Sequence, residues 1–278
     1  FSPEGYSSYE ISGIDRRCFS YMTHEQLVNW VCCTGVYVSQ SQDQDFLTRH
    51  LKTVKDCYQS MLNRDHPAPA QRNGVMGCES SRCNGGGEIT TYDSLDTSLG
   101  QARNNLYLAV KSWAAYLALA ELFQQAGEHT LAAEATASAQ LCARTISGKW
   151  DDTLGYIPAV FEDDNRSAII PAIEGLVFPQ VMGLQDALAP DGPYAEFIGI
   201  LKRHFESIFK PGVCLYPDNG WKLSSTADNS WMSKICLSQY VARSVLGIDF
   251  GEQQVAHDQA HMDWQIFGST FNACSDQF

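Results

Sequence analysis

Positive charge is scarce in this sequence: 19 lysines and arginines stand against 32 aspartates and glutamates, a formal net charge of −13 over 278 residues. Nucleic-acid binding needs a concentrated basic stripe to neutralise phosphates, and none is present, so nucleic acid is excluded as a partner. The same deficit argues against an anionic membrane surface and suits a neutral or cationic ligand. No apolar run of 18 or more residues stands out, so no membrane span is expected. No secretory leader pattern opens the chain, and the start Phe1-Ser-Pro-Glu-Gly5 lacks an initiator methionine; it reads as the interior of a longer or processed protein. Strand-like alternation is nearly missing. The Gly85–Gly87 run is not followed by Gly-Lys-Ser/Thr, so there is no phosphate loop, and no second pair or histidine cluster completes a zinc site around Cys78 and Cys83. Neither cofactor nor metal is expected.

Ten cysteines are present, but a chain this long does not need disulfide staples. Reduced thiols and a cytoplasmic setting are expected, with Cys32, Cys142 and Cys236 behaving as small buried hydrophobes inside helical patterns.

The stretch Met76–Asn105 concentrates what chemistry there is. Three glycines abandon regular structure, and Glu88, Asp93 and Asp96 follow within nine residues. Ser98 and Gln101 then match a capping box, predicting a helix from Ser98 to about Ala126 closed by Gly127. Elsewhere the apolar periodicity predicts helices over about 23–40, opened by the Thr23-His-Glu-Gln26 box, then 44–63, 128–146, 167–186 with a kink at Pro179, 193–209, 230–246 and 252–267. The helices starting near 23, 98, 167 and 230 are apolar on nearly every face, and the first is expected to be buried almost all round. Each is followed by a helix with a single apolar stripe. This is an inner-then-outer hairpin repeated four times. Long loops rich in aromatics and acids enter the last three inner helices, which puts functional loops on one face. An all-α toroid of hairpins, (α/α)n, fits this order; a full ring of that type takes six hairpins, and four are present in residues 1–278.

Three runs carry a family resemblance: Cys78–Asp96 with Ser98–Asn105, Ala168–Pro179, and Gly220–Lys234. They are similar to the β-xylosidases of glycoside hydrolase family 52, along essentially the whole chain. The resemblance implies a C-terminal (α/α)6 catalytic domain, normally preceded by a β-sandwich, and retaining hydrolysis of xylosides. In the sister β-glucosidases of family 116, a Thr-Tyr-Asp motif supplies the general acid/base; carried over, that role falls on Asp93 in Thr91-Tyr92-Asp93. The family's nucleophile is a glutamate well upstream of this motif. Only 92 residues precede Asp93, so the resemblance implies a C-terminal portion holding one catalytic carboxylate of two.

By spacing alone, Asp93 suits catalysis and helix capping equally; the resemblance favours catalysis. Asp96 is expected to be structural. Thr91 is placed with the substrate-binding candidates. Glu88 is another, although a solvated loop acid is the commoner state of such a residue. Sugar recognition uses aromatic faces and polar side chains, and Trp221, Lys222, Asn229 and Trp231 supply both, with Trp221 and Lys222 the more exposed by pattern. Glu174, a carboxylate in an apolar segment, either faces the barrel mouth or pairs with an arginine. His24 opens the first inner helix beside Glu25 on the same face, where a cap or core role is commoner. Arg103, one turn into its helix, is expected to order nearby carboxylates.

The expected partners are xylo-oligosaccharides and the N-terminal portion of the same enzyme. Half a ring would expose apolar surface and seek a partner, a second copy included. The rival reading is a non-catalytic helical-repeat binding module; a ring buries the 167–186 segment, whereas an open array leaves a face free.

Overall fold

The helix around which the others pack, here α3, spans Leu106–Gln125, and sixteen of its twenty residues are buried. In the computed structural model the described residues are 22–79, 87–94, 100–228, 230–267 and 276, with side chains not described at 93 and 94. By length and composition α3 could cross a membrane, with a mean hydropathy of 1.3, which corrects the expectation that no such run exists. Its window is 89% buried inside the protein, the condition of a core helix.

The N-terminus of α3 also differs from expectation. Asn105, with extended backbone, caps it by accepting the Leu108 amide at 3.3 Å. Gln101 turns instead to the Arg103 carbonyl and to Glu162, and Ser98 lies outside the described residues. Helix α1 is Thr23–Ser41, with Met22 at the cap position and no side-chain cap. Its Thr-x-x-Gln box does not form, because the Thr23 hydroxyl accepts from Arg64 at 2.8 Å. Nor is α1 buried all round: Trp30, Cys33 and Tyr37 are exposed. Helix α2, Gln44–Asp65, is capped by Asp43 and packs as the outer partner of α1. Helix α4, His129–Ser147, does the same for α3 through Ala132, Ala135, Ala139, Cys142 and Ile146.

The third inner segment is not one helix. Ile169 is extended, and a 3-10 stretch follows over Ile170–Leu176 with Pro171 in its first turn, where a missing N–H is tolerated. Helices α5, Val177–Met182, and α6, Gln185–Leu188, follow, separated by the left-handed Gly183. Residues 168–176 are all buried, but the rest of the 167–186 segment is not buried on every side as a ring was expected to require: Val181, Gly183, Gln185 and Asp186 are exposed. Gly175 presses so closely on α3 that an added Cβ would lie 2.7 Å from the Val110 carbonyl carbon. Gly175→Ala should therefore cost about 1–3 kcal/mol by overpacking, read as a lowered thermal midpoint; an unchanged midpoint would show that the two backbones can separate freely.

Helices α7, Ala195–Ile208, α8, Met232–Ser244, and α9, Gln253–Phe267, complete the order. Inner segments touch in sequence order: α1 on α3, α3 on 170–176, and 170–176 on α8. No strand occurs among the described residues, only isolated bridges. Two of these tie the long loops side by side, Asn105 with Val160 and Ile169 with Ser224. The described cysteines are free thiols; Cys32 and Cys142 are buried as expected, whereas Cys236 is exposed.

Candidate active site

The excursion carrying Thr91-Tyr92-Asp93 is closed at its base by two backbone hydrogen bonds, Thr90 N–H to the Gly100 carbonyl at 2.8 Å and Ala102 N–H to the Glu88 carbonyl at 3.0 Å. Inside it Thr91–Ser94 form one 3-10 turn. Asp93 is thus placed by its backbone at the meeting point of the inner segments, and its side chain lies outside the described atoms. Asp96 and Asn229 also lie outside the described residues.

Two buried carboxylates from different segments grip this turn. Glu25, in the first turn of α1, accepts the Thr91 amide at 2.7 Å and the Thr91 hydroxyl at 2.9 Å. It also accepts the Tyr107 hydroxyl at 2.6 Å. Glu174, wholly buried, accepts the Tyr92 hydroxyl and lies 3.5 Å from the Lys234 ammonium. Lys111 reaches the Tyr107 oxygen at 2.5 Å, Asn29 at 3.0 Å and Glu25 at 3.8 Å. The result is two Glu–Tyr–Lys groups, and the rings of Tyr92 and Tyr107 meet edge to face at 5.0 Å. Burial, reinforced by the neighbouring carboxylates, pushes both phenols well above their ordinary range, so they stay protonated and donate. Burial also lowers the Lys111 ammonium, with Glu174 and Glu25 acting the other way.

Most of the other sequence candidates have places unlike those expected. Glu88 is not a solvated acid: it is buried, accepts the His24 amide at 3.0 Å and pairs with Arg64. Glu174 pairs with a lysine and a tyrosine, not with an arginine. Trp221, expected to be exposed, is fully buried among Phe205, Phe209, Phe250 and His257. Lys222 bonds to Asp228 at 2.9 Å and lies over the Tyr216 ring, with 15% of its side chain exposed. Trp221 leans on the α7–α9 side, its N–H donating to His261 of α9, whereas Lys222 stays with residues of its own loop. Trp231 is different: it stacks on Tyr92 at 5.6 Å. Arg103 does order carboxylates, bonding Glu162 at 2.8 Å with Glu79 at 3.9 Å, but from the turn before α3. His24 is a buried core residue whose Nε2 meets the Ser112 hydroxyl at 3.0 Å.

Sequence reasoning passed over Glu25, Tyr107, Lys111 and Lys234 as site residues. Lys111 had a usable signal, since it is the one basic residue in an otherwise apolar helix, and a buried ammonium needs partners.

Three histidines make stability depend on pH. Burial lowers His24 to about 3, with Arg64 adding to it, and lowers His204 and His261 to about 4. Each is neutral in the fold but takes a proton once unfolded below its ordinary 6.5. Their contribution is therefore complete above pH 6.5 and is lost as pH falls toward 4, and for His24 toward 3. The urea midpoint should drop steadily across that window; a flat midpoint would contradict the burial of these rings.

Comparisons with known proteins point to glycoside hydrolases. A sequence model described as glycosyl hydrolase family 52 matches residues 1–37, the stretch that includes His24 and Glu25. The chain is 53% identical over 264 residues to a protein named beta-xylosidase from Geobacillus stearothermophilus, covering 95% of this chain and 37% of that protein. A second beta-xylosidase from the same organism is 46% identical over 147 residues, 53% of this chain and 24% of its own length. The chain thus spans well under half the length of the relatives it matches.

Proposed function

We propose, for a chain that matches the family 52 model over residues 1–37 and a beta-xylosidase over 95% of its own length, that it forms part of the catalytic domain of a retaining β-xylosidase. Asp93 is its general acid/base. It protonates the departing glycosidic oxygen and then activates the water that releases xylose. The attacking carboxylate, about 5–5.5 Å from the acid in a retaining site, comes from a portion N-terminal to Phe1. The observation that carries the reading is the convergence of α1, α3, the 170–176 segment and α8 on the one turn that holds Asp93. A structural turn would not need buried charges from three segments, Glu25, Lys111 and Glu174, with the half-buried Lys234 from a fourth.

The (α/α)6 ring is part of the same proposal. Support comes from the neighbour order of the inner segments and from where apolar side chains are exposed. Among the described residues, Trp30 and Tyr37 lie on α1, and Tyr240, Val255, Met262, Ile266 and Phe267 on the last pair, α8 and α9; Val181 on α5 is the exception. Two further hairpins would cover those faces. Trp231, stacked on Tyr92, is the aromatic surface offered to sugar, and Asn229, outside the described residues, remains a binding candidate by sequence alone; Thr91 does not, because Glu25 takes both its amide and its hydroxyl. Trp221 does not, because its ring is used in the core. A cytoplasmic setting is supported by the free thiols.

The test is hydrolysis of 4-nitrophenyl β-xyloside by this chain alone and together with the upstream portion of the Geobacillus protein. Activity only on complementation, abolished by Asp93→Ala, is expected. Full activity of the chain alone would place both carboxylates within it and overturn the assignment.

A further inference from the structure

The geometry points to Glu25 as the positioning residue of the general-acid turn, a role that rests on the assignment of Asp93 above. A four-residue 3-10 turn cannot hold itself, since it has at most one or two weak internal bonds. The Thr91–Ser94 turn is accordingly fixed from outside, by Glu174 at Tyr92 and by Glu25 at its first residue. Both oxygens of Glu25 meet Thr91, one at its amide and the other at its hydroxyl, at 2.7 and 2.9 Å. The oxygen that takes the hydroxyl also takes Tyr107 at 2.6 Å and faces Lys111 at 3.8 Å. The Glu25 side chain is only 3% exposed, so its place is tenable as a carboxylate only because every donor converges on it.

This arrangement specifies a carboxylate. Thr91 and Tyr107 present donors to both oxygens, and an amide would turn an NH2 group toward at least one of them. The clamp is also shielded, with Tyr107 and Lys111 from α3 behind it and Tyr92 beside it. Tyr92 is held in turn by Glu174 and by stacking on Trp231. Glu25 therefore sets the two residues before Asp93 and, through them, where the acid's backbone presents its carboxyl to the leaving oxygen. It touches neither substrate nor reacting atoms. Its effect is confined to proton delivery, because sugar binding and nucleophilic attack use other groups.

That confinement provides the test, made on the active protein with Glu25→Gln and two substrates. 2,4-Dinitrophenyl β-xyloside loses a leaving group that needs no proton, whereas phenyl β-xyloside loses one that does. Glu25→Gln should lower kcat/KM for the phenyl substrate by roughly 10²-fold, the scale of an ångström of misplacement, and leave the dinitrophenyl substrate within about threefold. Thr91→Val, which keeps the amide contact, should show the same selectivity at smaller size. Equal losses on both substrates would mean a role in folding or sugar binding and overturn the proposal, as would no loss on either.

Asp93→Ala measured alongside separates the two assignments, since a loss that does not depend on the leaving group would remove Asp93 as the acid. The clamp itself is then read without activity, from the hydrogen exchange of the Thr91 amide in this chain. Glu25→Ala should accelerate that exchange at least about tenfold; an unchanged rate would remove the clamp.

Discussion

Asp93→Ala is expected to lower kcat/KM for phenyl β-xyloside by about 10²–10⁴-fold, the range that general acid catalysis contributes. The same variant should keep most of its glycosylation rate on 2,4-dinitrophenyl β-xyloside, because that leaving group departs unprotonated. Its second half-reaction still needs a base, so turnover should stall at the xylosyl-enzyme and show a burst. Added azide, a nucleophile needing no deprotonation, should then rescue turnover and yield β-xylosyl azide. A uniform loss on both substrates, with no burst and no rescue, would sink the assignment. The surroundings support it physically. The turn bearing Asp93 is bordered by carboxylates on Glu25 and Glu174, each already satisfied by a tyrosine hydroxyl and faced by a lysine. Those carboxylates are engaged in structure, and the catalytic part is the one proposed for Asp93.

The largest loss of stability is expected from Arg64→Met. Arg64 of α2 pairs with Glu88, whose side chain is fully buried, and its other nitrogen donates to Thr23 at 2.8 Å. Methionine keeps the apolar stem but takes the Arg64 guanidinium away from the buried Glu88 carboxylate. Removing one partner of a buried pair costs about 3–5 kcal/mol, a large share of the stability of an ordinary domain. Glu88 also accepts the His24 amide, so the damage should spread to the start of α1 and to the base of the Asp93 excursion. The measurement is urea unfolding of the variant and of Arg64→Met/Glu88→Gln. The double variant should recover a good part of the loss, because no buried charge is left unpaired. If the single variant loses less than about 1 kcal/mol, on the scale of an exposed pair, the burial of this pair is wrong.

The helices were legible because burial imposes a period on the chain. The outer ones in particular, α2, α4 and α7, were readable to within about two residues from single apolar stripes. Their starts were less so. Ser98 and Thr23 matched capping patterns, yet α3 is capped by Asn105 and the Thr23 hydroxyl serves Arg64. A capping residue is recognised only by what its side chain bonds, and competing partners from other helices are invisible in sequence. The Ile170–Leu176 segment had the composition of a helix; its 3-10 form goes with Pro171 and with the close approach of Gly175 to α3.

The site divided in the same way. Trp221 and Trp231 lie in one loop with similar neighbours, and nothing local separates a core ring from a ring beside the acid turn. The cluster of Phe205, Phe209 and Phe250 settles the first, and Tyr92 the second. By itself the sequence determined the all-helical class, the alternation of inner and outer helices, the acidic character, and the Thr-Tyr-Asp motif with its family likeness. These depend on residue type and short-range spacing. Only the tertiary structure decided which charges are buried and what satisfies them: Arg64 with Glu88, Glu25 with Thr91 and Tyr107, and Tyr92 with Glu174 and Lys234. The reason is that the state of a buried charge is set by its partners within a few ångströms. Here those partners stand as many as 82 positions away along the chain.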